Sequence, residues 1–212
     1  MAIVVFVIII VSMVLHELAH GAVAYLLGDD TAKSEGRLSL NPLKHLDPVM
    51  SVIVPFLLYI SGGVVFGGAK PVPINTRNLK GGAWGMALVG IAGPATNFIL
   101  ALLGFLIGIW TGNLVAENGV VYLANGVVSQ IFAEVVMVNL GFMIFNLIPI
   151  PPLDGSRVLY AIMPDGVRDF MERIEPIGIV IVMILVMVGA TSGIMAGGVE
   201  GMIGLFCKLV GA

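Results

Sequence analysis

The chain has 212 residues, 58% of them hydrophobic and only 11% charged, with a formal net charge of -3 and a mean hydropathy of +1.08. A soluble domain carries roughly 25% charged residues; no soluble fold of this length hides so much apolar surface, so the composition implies a polytopic membrane protein. Scattered Lys and Arg on a weakly acidic chain argue against a nucleic-acid partner, and the single cysteine, Cys207, excludes an internal disulfide.

Apolar segments fall near 1–27, 49–66, 84–110, 126–148, 175–191 and 194–210. At ~1.5 Å per residue each crosses or nearly crosses a ~30 Å hydrocarbon core. The prediction is an all-α polytopic bundle of about five to six transmembrane segments, forming a single intramembrane domain over 1–212. The first segment has no basic flank and stays apolar past His20, so it reads as a retained helix rather than a signal peptide. Gly, Pro, Asn and Asp mark the stretches between segments, "TGNLVAENG" among them, as connections.

Basic residues set the expected topology. Lys33, Arg37 and Lys44 fill the first connection, Lys70, Arg77 and Lys80 the second, and Arg157, Arg168 and Arg173 the last long one. If 49–66 spans, these loops fall on both faces. If it enters and returns on one side, all three share a single, cytoplasmic, face. Pro55, Gly62 and Gly63 suit a bent path shielded by protein, so 49–66 is expected to be re-entrant.

The first segment places His16, Glu17 and His20 in one helical turn, as "HELAH". Residues four apart share a helix face, which lets two imidazoles close on one Zn²⁺ at ~2.0–2.1 Å. Glu17 sits beside that face, placed to act on water rather than to ligate. This is the H-E-x-x-H pattern of zinc hydrolases. Two buried histidines beside an incidental glutamate is the bland alternative. It leaves unexplained why an acid should sit at membrane depth, at a cost of a few kcal/mol.

Catalytic zinc usually takes three protein ligands. His45, the remaining histidine, reads as a solvated loop residue, and Asp154 is the better candidate. It lies in "FNLIPIPPLDGSRVL", where Pro149, Pro151 and Pro152 forbid a continuous helix. Broken backbone at membrane depth is tolerated only inside the protein or along a watery cavity. A re-entrant 49–66 also brings His16, His20 and Asp154 to one depth, so charge bias and metal geometry favour the same topology.

Together these residues resemble the site-2 protease family of intramembrane zinc metalloproteases. "HELAH" is similar to its first signature, "NLIPIPPLDG" to its N-x-x-P-x-x-P-L-D-G signature, and "GPATN" (Gly93 to Asn97) to a third. The resemblance covers about residues 10–165. It implies one zinc per chain on His16, His20 and Asp154, Glu17 as catalytic base, and substrate contacts near Asn97 and Asn146. It further implies transmembrane protein substrates and a prokaryotic cell membrane, with the site toward the cytoplasm. The chain resembles compact members without PDZ or CBS domains. It departs from the pattern in starting at the HExxH helix, and in Ser156 after "LDG", where Gly is common.

Asn97 also reads as a plain interhelical hydrogen bond, and Asn146 as a cap on backbone freed by Pro149. Gly104 and Gly108, and the run Gly193, Gly197 and Gly201, form small-residue faces for helix packing within the chain or for a homo-oligomer. A transporter explains broken helices and intramembrane polar groups, but not the H-E-x-x-H spacing. A zinc-binding adaptor without turnover is the other rival.

Overall fold

A computed structural model of the chain describes residues 1–47, 70–124 and 126–212. The expected re-entrant segment 49–66 lies outside the described residues.

Among the described residues seven α-helices form the body: α1 (Ala2–Leu26), the single turn α2 (Thr31–Ser34), α3 (Gly82–Trp110), α4 (Val127–Asn146), α5 (Asp154–Ile162), α6 (Asp165–Met187) and α7 (Ser192–Leu209). Among the described residues α1, α3 and α4 are long and apolar enough to cross a membrane. α6 and α7 meet at 80° and together make at most a fourth, broken, crossing. The apolar segments 175–191 and 194–210 thus lie in two helices bent by 80° from each other. The chain's two tryptophans, Trp84 and Trp110, stand exposed near opposite ends of α3, separated by ~39 Å at 1.5 Å per residue. Such a pair suits the two headgroup zones flanking a hydrocarbon core.

α3 is the axis of the bundle and packs against α1, α4 and α5. Phe105 and Ala101 of α3, Val136, Leu140, Met143 and Ile144 of α4, and Phe206 and Cys207 of α7 form the main apolar core with Leu114. Gly104 admits the Val135 side chain and Gly108 admits Leu114, each closer than a Cβ would allow. That small-residue face is thus used within the chain. Gly193, Gly197 and Gly201 on α7 meet nothing within 4 Å among the described residues.

The connection "TGNLVAENG" holds a feature its composition did not suggest. Strands β1 (Leu114–Glu117) and β2 (Val120–Leu123) pair antiparallel, with Glu117 opposite Val120. Asn118 and Gly119 both take positive φ, 51° and 76°, as a two-residue hairpin turn requires. The Asn-Gly step was the available signal. Among the described residues one small hairpin thus interrupts the helices, where α3 hands over to α4.

At the opposite end of the bundle the connections after α1 and before α3 are tied together. Lys80 N–H donates to the Leu27 carbonyl at 2.9 Å and Lys70 N–H to the His45 carbonyl at 2.8 Å. His45 is fully buried rather than solvated, its Nε2 bonded to the Ser39 carbonyl. α5 joins this end, because Gly90 of α3 lets Arg157 approach to within contact of the helix. Basic residues of all three connections consequently gather at one end, with the hairpin at the other.

Single cysteines replacing the exposed Lys33 and Arg77, in a Cys207→Ala background, should react with an impermeant reagent from the same side of the membrane, and one replacing Glu117 from the other. Opposite labelling of positions 33 and 77 in intact cells and after lysis would contradict this arrangement.

Candidate metal centre

His16 and His20 leave α1 one turn apart and are both buried. Asp154 arrives from a different direction, as the first residue of α5. The preceding segment cannot be helical, since Pro149, Pro151 and Pro152 remove the donors a helix needs. Its apolar residues Ile148 and Leu153 pack on Val182 of α6, and Gly178 of α6 lies against the Pro151 carbonyl, too close for any Cβ. Gly155 likewise sits against the Leu147 carbonyl. A braced, tightly folded break thus sets the position of the carboxylate.

The three side chains converge. His16 Nε2 lies 3.0 Å from His20 Nε2 and 3.1 Å from Asp154 Oδ2, and His20 Nε2 lies 3.3 Å from the same oxygen. Ligands at ~2.0–2.1 Å from a tetrahedral metal are ~3.3 Å apart, so the triangle has the dimensions of a metal's coordination face. These are the described residues that could hold such an ion together.

The proton inventory supports the same conclusion. His20 Nδ1 faces the Val89 carbonyl at 2.7 Å, an acceptor only, so this nitrogen carries the proton. For His16 the assignment runs through a buried chain. Asn139 presents its amide nitrogen to the Val135 carbonyl at 2.8 Å, which leaves its oxygen to accept from Asn97 Nδ2 at 2.8 Å. Asn97 then turns Oδ1 to His16, so His16 Nδ1 is the donor. With each imidazole neutral, both Nε2 atoms present lone pairs to each other and to a carboxylate. Three acceptors so close in a buried site repel unless a cation sits among them. The donor set, two imidazoles and one carboxylate, fits zinc and leaves a fourth position open.

The backbone of α3 makes room for this. A Cβ built on Gly93 would lie 2.5 Å from Nε2 of both histidines. Gly93 and the fully buried Asn97 are one helical turn apart, so the "GPATN" motif supplies both the clearance and the His16 partner. Glu17, half-buried, accepts a hydrogen bond from Val72 N–H through Oε2 at 3.0 Å. Asn146 bonds back to the Phe142 carbonyl within α4 at 3.0 Å and not to the three converging residues. The reading from sequence overlooked Asn139; a lone amide in the apolar run "VVMVNLGF" was its signal.

Two imidazoles and a carboxylate close on one point inside the helix bundle with a glutamate alongside, an arrangement that fits the metal centre of a hydrolase. Known proteins agree. The model of peptidase family M50 matches residues 112–189, which include Asn139 and Asp154. The chain is 42% identical to YwhC of Bacillus subtilis over 84% of its own length and 77% of that protein. It is 31% identical to Rip2 of Mycolicibacterium smegmatis, over 85% of this chain and 65% of that protein. It is 31% identical to Rip2 of Mycobacterium tuberculosis over 71% and 53%. All three relatives bear the name "Putative zinc metalloprotease", and the chain spans only about half to two thirds of the length of the two Rip2 proteins. No solved structure gives a significant match. The chain belongs to peptidase family M50 and is a multi-pass membrane protein.

Gly93→Ala should drive the two imidazoles apart and sharply lower zinc content while far-UV circular dichroism stays helical. Asn97→Ala should weaken zinc binding ~10- to 100-fold, the usual effect of losing a ligand's outer hydrogen-bond partner. Full zinc occupancy in Gly93→Ala under competition with a chelator would contradict the assigned centre.

Proposed function

We propose that the protein is an intramembrane zinc endopeptidase that hydrolyses peptide bonds within or beside the transmembrane segments of other membrane proteins. The observation that carries this reading is the convergence of His16, His20 and Asp154 next to Glu17 inside the bundle. Its family supplies the reaction class, peptide hydrolysis.

Zinc, when bound, supplies Lewis acidity, lowering the pKa of water toward ~7 and polarising the scissile carbonyl. The residues of the chain do the rest. His16 and His20 offer Nε2 because Asn97 and the Val89 carbonyl hold the Nδ1 protons. Asp154 contributes the third donor and negative charge. Glu17 takes a proton from the attacking water and delivers it to the departing amine, so no net proton is lost or gained by the enzyme. One Glu17 oxygen is held by Val72 N–H; the other makes no hydrogen bond among the described residues and is available for that transfer.

A transmembrane substrate must unwind before it reacts, because helical hydrogen bonds cover its carbonyls. Gly or Pro near the scissile bond lowers that cost. Asn97 acts through His16, its amide oxygen and nitrogen being engaged by His16 and Asn139. The site opens toward the cytoplasmic face of a prokaryotic cell membrane. The gathering of nine of the ten Lys and Arg residues at one end of the bundle supports that orientation.

Glu17→Gln keeps the shape of the side chain but cannot accept the proton. It should retain one zinc per chain and lose turnover, both on a quenched-fluorescence transmembrane reporter and in a comparison of membrane proteomes with the wild type. Cleavage by Glu17→Gln at the wild-type rate would exclude Glu17 as the base.

A further inference from the structure

Residues 70–75 form a strap without regular structure beside α1, followed by a turn at 76–78. Among the described residues it is bonded to Glu17, Asp29, Arg37 and His45. Arg37, itself buried, donates through Nη2 to the Lys70 carbonyl at 2.8 Å and the Pro71 carbonyl at 3.2 Å. The next residue, Val72, sends its N–H to Glu17 Oε2. Three residues on, Asn75 N–H donates to Asp29 Oδ2 at 2.7 Å, and Asn78 Nδ2 reaches Asp29 Oδ1 at 3.3 Å. Asp29 is fully buried. Two buried charges of opposite sign thus grip backbone or side-chain polar groups on either side of the single N–H that meets Glu17.

The strap is also seated by shape. Gly21 follows His20, and a Cβ there would fall 2.5 Å from Leu38 Cδ2 and 3.1 Å from Val72 Cγ1. Pro71 and Pro73 flank Val72; neither has an N–H, and each restricts the residue before it to extended backbone. Val72 N–H is therefore the only main-chain donor among residues 71–73, and it is spent on the carboxylate.

We infer that Val72 N–H is the positioning group for Glu17, held in place by Arg37 and Asp29 through the strap. This inference rests on Glu17 being the base. A glutamate side chain has three rotatable bonds, and an unrestrained carboxylate spends much of its time away from the reacting water. A charge-assisted hydrogen bond to one oxygen removes that freedom, leaving the other oxygen for the proton. The strap thereby pre-organises proton transfer and contributes nothing to the coordination of the metal. Arg37 and Asp29 do not touch substrate. They set the height and register of the strap.

The test separates the N–H from the side chain. Val72→Pro removes the donor in a segment already flanked by proline, and Val72→Ala shortens the side chain but keeps the donor. The probe is a quenched-fluorescence transmembrane reporter with a central Gly-Pro step that the wild-type enzyme cleaves. The expected result is one zinc per chain and a near-native KM in both variants, with kcat of Val72→Pro at least ~10-fold below that of Val72→Ala. Equal kcat in the two variants at full zinc occupancy overturns the inference, as does a loss confined to KM. If Val72→Pro does not accumulate as zinc-loaded protein, replacing residue 72 by its α-hydroxy acid analogue turns the amide into an ester and decides between the same two results. Activity retained in Glu17→Gln would instead overturn the assignment of the base. An inactive Glu17→Gln beside a fully active ester variant would overturn the strap alone.

Discussion

Three acceptor atoms 3.0–3.3 Å apart in a buried site demand a positive charge among them, and much of the bundle is arranged to bring them there. α1 supplies two of the atoms from a single turn, which costs the fold little. The third must come from 134 residues further along the chain (154 − 20). That distance makes α3 decisive. It passes between α1 and α5, with Gly93 clearing the imidazoles and Gly90 clearing the start of α5. A side chain at either position would hold the ligand-bearing elements apart.

The same constraint explains the buried amides. An imidazole binds a metal through one nitrogen only if the other nitrogen keeps the proton. The carbonyl of Val135 settles the orientation of Asn139, Asn139 settles Asn97, and Asn97 settles His16. A backbone carbonyl of α4 thus bears on which nitrogen of an α1 histidine faces His20 and Asp154. Fully buried amides would be costly if left unsatisfied. Here each is bonded at both its oxygen and its nitrogen, and the chain converts that requirement into ligand geometry.

Local chemistry was legible in the sequence, and long-range backbone contacts were not. "HELAH" is readable because helical geometry alone puts i and i+4 on one face. Asp154 is readable because three prolines announce a break where an acid has reason to enter the bundle. Asn97 stood undecided between a helix contact and a substrate donor, since nothing local says which polar atom it will meet. His45 passed for a solvated loop residue because its burial comes from its fold with Ser39 and Lys70. The strap over Glu17 leaves no periodic pattern at all, being held by carbonyls and N–H groups that every residue possesses. The hairpin at 114–123 was visible in Asn118-Gly119, yet a search for charge and hydropathy passes over it.

Zinc K-edge absorption spectroscopy on the purified, zinc-loaded protein tests the central claim most directly. Two imidazoles are expected in the first coordination shell, the remaining scatterers being oxygen at ~2.0–2.2 Å and no sulfur. A spectrum with one imidazole or none, or with a sulfur neighbour from Cys207 at ~2.3 Å, would contradict it.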